Sequence, residues 1–313
     1  MAHRARSIFP VPVFRRDYIQ VDPNIPGGLF LAPVQVVRRN DLAPSGERFG
    51  IFHPNLMATT GGPNVSPTVA WQMSNMFTSV GTANVLGAAV PVSNSLWCWR
   101  GDATPGPGSY AEIARVGASA PDITGGATFA SFYALHVVDD LPNYPAANVF
   151  YGVILNTGKY AIYRRSISTA LSITVLGVPQ LIATDDTGAP ALQLVPAIYG
   201  GAYPIAALFP WFSVDLDGDV LIKATLGGTV PADQTQCLIA AMGGTSNHGL
   251  EMRAQSNSTV FSLPTISFGP KAIANFAITN PEQGSLGRGQ AIAGQSLSSL
   301  VYFGGGNGVY VGK

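Results

Sequence analysis

Apolar residues along this chain fall into short runs rich in β-branched and aromatic side chains, set off by Gly, Pro, Asn and Asp rather than spaced at the three- and four-residue interval of helices. The clearest runs are FYALHVV (132–138), NVFYGVIL (148–155), KYAIYRRSI (159–167), LSITVLGV (171–178), FSVDL (212–216), DVLIKATL (219–226), QCLIAAM (236–242), TVFSLPTISF (259–268) and GVYVG (308–312). Runs recurring every 8–15 residues or so predict an all-β body of the β-sandwich or jelly-roll type. Two hairpins are predicted within it. Asn156-Thr-Gly158 joins two strands, and Asp217-Gly218 sits where a two-residue turn would connect the run ending at Leu216 to the one beginning at Asp219.

Helices are disfavoured by what is missing. Lys occurs only at 159, 223, 271 and 313, and Glu only at 47, 112, 251 and 282, so long exposed helix faces cannot be written.

Three parts differ in texture. Residues 1–48 hold seven arginines against four acids, with prolines at 10, 12, 23, 26, 33 and 44, and are predicted to form an extended Arg/Pro-rich arm. Residues 49–301 are the all-β body, with a candidate internal boundary near 101–125 where the Pro/Gly-rich segment 101–109 falls. Residues 302–313 read as a Gly-hinged, short C-terminal strand.

Charge changes the picture most. Only 11% of the 313 residues are charged, against about 25% in an ordinary soluble domain, and the net charge is zero. Spread over the ~12,000 Å² surface of a compact monomer, so few charges imply that much of that surface is covered. No run approaches the roughly 18–20 apolar residues of a membrane helix, so no transmembrane segment is predicted. The opening MAHRARSIFPVPVF lacks the continuous apolar region of a signal peptide. Protein neighbours are the remaining cover, which means copies of the same chain. Disorder fails as an explanation, because 15 Phe, 11 Tyr and 4 Trp are the makings of a core.

Candidate chemistry is thin. Asp215, Asp217 and Asp219 alternate as Ca²⁺ ligands do, but the glycine is displaced from its EF-hand place and the closing Glu is absent, so the stretch reads as a turn with Ca²⁺ as the alternative. His136 precedes Asp139-Asp140, and a second Asp pair stands at 185–186; adjacent residues on a strand face opposite ways, so neither pair by itself makes a glycosidase dyad. His3, His53 and His248 have no ligand-spaced neighbours. Nucleophile elbows, Walker loops and zinc signatures are absent from the sequence, and the expectation is no enzyme and no cofactor. Cys98 and Cys237 read as buried free thiols, with a disulfide as the alternative. Trp97, Trp99 and Tyr144 are candidate glycan contacts; the competing reading puts Trp97 and Trp99 on one buried face of a strand and Cys98 on the other.

These observations together predict a non-enzymatic structural protein of a virus or bacteriophage particle, a self-assembling capsid shell or decoration subunit located in the virion. A tail or fibre subunit that binds a receptor, and a carbohydrate-binding β-sandwich, are the alternatives. Expected partners are copies of itself, other virion proteins and a host-surface glycan. Arg4, Arg6, Arg15 and Arg16 are the expected assembly contacts of the arm. Four cations are too few for strong nucleic-acid binding, so weak or no contact is expected there.

Overall fold

A computed structural model describes residues 13–15, 18–21, 34–58, 68–76, 91–100, 108–139, 147–170, 173–188, 194–196, 200–214, 218–241, 249–257, 259–260, 271–278, 297–303 and 306–312. Within them the chain is all-β, as its pattern predicts, and the one helical element is a single 3-10 turn at Ala232–Gln234.

Five antiparallel sheets follow one another along the chain. The first holds β1 (Val13–Arg15), β2 (Tyr18–Val21) and β3 (Val34–Arg38). The second holds β4 (Arg48–Ala58), β5 (Thr68–Met76), β6 (Pro91–Arg100) and β7 (Ala111–Arg115). The third runs β8 (Phe129–Asp139), β9 (Ala147–Leu155), β10 (Tyr160–Ala170), with β11 (Ile173–Leu176) and β12 (Gln180–Thr184) sharing the far side of β10. The fourth holds β13 (Leu194–Pro196), β14 (Ala202–Val214), β15 (Val220–Leu226), β16 (Gln236–Ala241) and β17 (Leu250–Gln255); it curls so that its edge strands β13 and β17 approach each other. The fifth holds β18 (Thr259–Val260), β19 (Lys271–Ile278), β20 (Leu297–Phe303) and β21 (Gly306–Gly312). Nearly every strand pairs with its neighbour in sequence, which keeps loop-closure entropy low.

The third sheet is buried on both faces. One side of β9 and β10, carrying Val149, Tyr151, Val153, Ala161 and Tyr163, packs with Leu96, Cys98 and Ile113 of the second sheet. The other, carrying Phe150 and Ile162, packs with Leu208, Phe212, Ile222 and Ile239 of the fourth. Period-two alternation therefore sends successive residues into two different cores. The outer face of the fourth sheet, with Leu221, Leu238 and Ala240, is buried too, and β19 runs against β14, β15 and β16. Stacking of this kind removes the polar face that a two-layer sandwich would need. Part of the charge deficit is thus met inside the chain.

The hairpin between β9 and β10 forms as predicted. The Leu155 N–H donates to the Lys159 carbonyl at 2.8 Å and the Gly158 N–H to the Leu155 carbonyl at 2.9 Å, leaving a three-residue loop whose Gly158 has φ +78°. A left-handed residue there favours glycine. The strands of the second predicted hairpin, β14 and β15, also pair antiparallel. Val214 opposite Val220 is their last described pair, and residues 215–217 lie outside the described residues.

The division between arm and body moves as well. Val36, Val37 and Ala43 are buried, the Tyr110 hydroxyl donates to the Val36 carbonyl at 2.6 Å, and Glu47 pairs with Arg115 at 2.6 Å. Residues 34–48 therefore belong to the body, their apolar side chains being worth more inside than along an arm. The segment 101–109 lies between β6 and β7, neighbours in one sheet, and both sides of it contribute to one core.

Candidate interaction surface

Trp97 and Trp99, expected among the glycan contacts, are buried to 1% and 2% exposure and offer no ring face to a sugar. Trp97 meets Phe49 edge-on at 5.2 Å between centroids, Phe49 and Trp71 meet Tyr110, and the Trp97 indole N–H donates to Ser95 Oγ at 2.6 Å. The physical reason is strand alternation inside a doubly covered sheet: Cys98 points into the core shared with the third sheet, and the tryptophans point the other way. Tyr144 lies outside the described residues, as do Arg4, Arg6, Arg16, Asp140, Asp215 and Asp217. Arg15 ends β1, and Asp139 ends β8.

The remaining candidates hold the fold together. Asp185 is 6% exposed and shares its two oxygens between the Tyr160 N–H (2.6 Å) on the third sheet and the Leu208 N–H (3.0 Å) on the fourth. Asp186 turns the opposite way, accepting from Thr157 Oγ1 (2.7 Å) and the Gly188 N–H (2.8 Å). His136 is buried with its ring 4.7 Å from that of Phe212, and burial pulls its pKa down to about 4, so it is neutral at physiological pH. Its Nδ1 has no partner in the interior. Cys98 and Cys237 are free, buried thiols; burial raises both, Cys237 to about 12, so neither is a nucleophile near neutrality. Among the described residues, no three His, Cys, Asp or Glu side chains gather as a metal site would require, and no helix is long and apolar enough to cross a membrane.

Two outward features stand apart from this interior. The first is the edge strand β11. Among the described strands it pairs with β10 only, and Ile173 and Val175 are exposed to 47% and 41% on its outer face, with Val178 exposed just beyond. No charged residue occurs from 171 to 183. Monomeric proteins usually guard such an edge with lysine, proline or a bulge.

The second is a bulge in β14. Leu208 pairs with Ala224 and Phe212 with Ile222, so three residues, Phe209-Pro-Trp211, stand opposite Lys223 alone. The extra length turns Trp211 outward at 44% exposure, while Lys223 Nζ sits 4.4 Å from the Phe209 ring centroid. Both flanks of the bulge are locked. Asp185 holds the Leu208 N–H, and Phe212 is wedged beside His136 and the Tyr133 ring, 6.4 Å away between centroids. Tyr133 in turn lies across Gly152, where a Cβ would sit 2.3 Å from its ring. Burial, reinforced by Asp185 and Tyr160, raises the Tyr133 phenol far above its ordinary range, so it stays protonated. Sequence reading missed this feature, although Pro210 inside an apolar run is the signal for it: proline interrupts ladder pairing and calls for a bulge or an edge.

Compared with known proteins, the chain matches no family model and no curated relative.

Proposed function

We propose that this chain is a non-enzymatic structural subunit of a virus or bacteriophage particle that assembles with copies of itself through exposed strand edges. The observation that carries the reading is β11, an apolar, charge-free edge whose backbone groups on one side have no described strand to pair with. A strand edge of this kind is satisfied by another strand, and a neutral chain does not repel its own copies. Closed symmetric assembly covers such edges in many copies at once. Virus particles are the setting where one β-rich chain is commonly used this way, and the virion location rests on that class-level association.

Light scattering coupled to size-exclusion chromatography, followed by negative-stain imaging, tests the reading. Closed oligomers or shells are expected for the wild-type chain, and Ile173→Lys with Val175→Lys is expected to shift them toward monomer without lowering the melting temperature. A wild-type chain that stays monomeric at all accessible concentrations sinks the proposal. Assembly unaffected by the lysines removes β11 as its basis.

A further inference from the structure

We infer that the β14 bulge is a carbohydrate-binding platform, with Trp211 stacking on the apolar face of a pyranose ring and Lys223 donating to its hydroxyl groups. This goes beyond the assembly reading and does not depend on it.

Several observations converge. Of the four tryptophans, Trp71, Trp97 and Trp99 are buried and Trp211 alone is exposed. Its exposure is not an accident of a loop, because it is produced inside a strand by a bulge that the third sheet braces at both ends. On one side, a buried carboxylate, Asp185, is committed to the backbone of Leu208. On the other, Phe212 is set against His136 and Tyr133. Bulges re-aim side chains in this way, and a platform held rigid before binding loses little entropy when a ligand arrives. Among the residues whose side-chain burial is described, no other large aromatic ring is exposed, so this is where a local rule of packing is broken, and such places tend to be functional.

The size and polarity of the patch select the ligand class. One exposed indole, two residues along the strand from the half-buried Phe209 whose ring carries the Lys223 ammonium, matches the size of a sugar ring and is far smaller than the ~800 Å² per partner of a stable protein interface. Pyranoses offer an apolar C–H face to stack on an indole and a rim of hydroxyls to meet a cation. Single-stranded nucleic acid would also stack, but its phosphates call for a basic groove. Here the sequence that follows, Asp215-Leu-Asp-Gly-Asp219, is acidic.

A printed array of neutral and sialylated glycans, probed with the full-length chain in whatever assembly it adopts, gives the first test. Intrinsic fluorescence titration with the best-bound oligosaccharide gives the second. Because Trp211 is the exposed indole, iodide should quench it selectively, and bound sugar should protect it. Trp211→Ala is expected to weaken binding at least about tenfold, with circular dichroism and melting unchanged. Lys223→Met should weaken it about threefold, and Ile173→Lys should leave it intact whatever happens to assembly. Asp185→Asn, which loosens the bulge while keeping Trp211, should weaken it and increase iodide access. The inference is overturned if no glycan binds on the array or in titration, if Trp211→Ala binds as well as wild type, or if an oligo-dT strand binds at Trp211 in place of sugar.

Discussion

Trp97 and Trp211 stand in similar-looking stretches, Trp97-Cys-Trp99 and Phe209-Pro-Trp211, yet one ring lies in a buried aromatic cluster with Phe49, Trp71 and Tyr110 and the other faces water. The difference lies in the residue between the aromatics. Cysteine continues the ladder, so β6 keeps pairing with β5 residue for residue, Trp97 opposite Trp71 and Cys98 opposite Ala70. Proline cannot donate to a ladder, and in β14 the pairing with β15 lapses across Phe209–Trp211 before it resumes at Phe212. A regular strand converts aromatic content into stability; an interrupted one converts it into surface.

That contrast can be broken by substitution. The largest effect is expected at the buried ring. Trp97→Ala should cost about 3–5 kcal/mol through lost transfer energy and a cavity among Phe49, Trp71 and Tyr110, read as a large drop in urea midpoint. If it costs less than about 1 kcal/mol, the cluster does not hold the second sheet together.

Behind the exposed ring, His136 makes stability depend on pH. Its folded pKa, near 4, lies below the ordinary 6.5, so the unfolded chain binds the proton first as pH falls. The stabilisation is full above about pH 6.5 and is lost progressively between there and about pH 4, by roughly 3 kcal/mol. Urea melts at pH 7 and pH 4.5 should differ more for the wild type than for His136→Leu; equal differences would show that His136 does not carry the slope.

Asp185→Ala comes next, at about 2–3 kcal/mol, because it strands the N–H groups of Tyr160 and Leu208 at the junction of two sheets. Thermal unfolding measures it, and a neutral result would mean that the bulge is held by Phe212 alone. Trp211→Ala should be the smallest, within about 0.5 kcal/mol. If it destabilises the chain as Trp97→Ala does, the two aromatic stretches are equivalent and the comparison fails.

Much of the fold from residue 129 onward was legible as sequence. β8, β9, β10, β11, β15 and β16 fall on predicted runs, because β-branched and aromatic residues dominate them without interruption. Earlier strands were not legible. β6 begins Pro91-Val-Ser-Asn-Ser95 and ends at Arg100, and both Ser95 and Arg100 are buried, so polar residues inside the core blur the pattern. β14 was read only from Phe212, since Pro204 and Pro210 disguise a strand of 13 residues.

By itself the sequence determined the strand class, the hairpin at Asn156–Gly158 and the scarcity of charge, because these follow from local propensity, turn chemistry and composition. Which aromatic rings are covered was decided only by tertiary structure. Alternation places successive side chains on opposite faces of a strand but says nothing of how many faces will be covered, and here sheets stack so that both are. Stacking turned Trp97 and Trp99 into core, and the pairing of Phe212 with Ile222 beyond Pro210 turned Trp211 out.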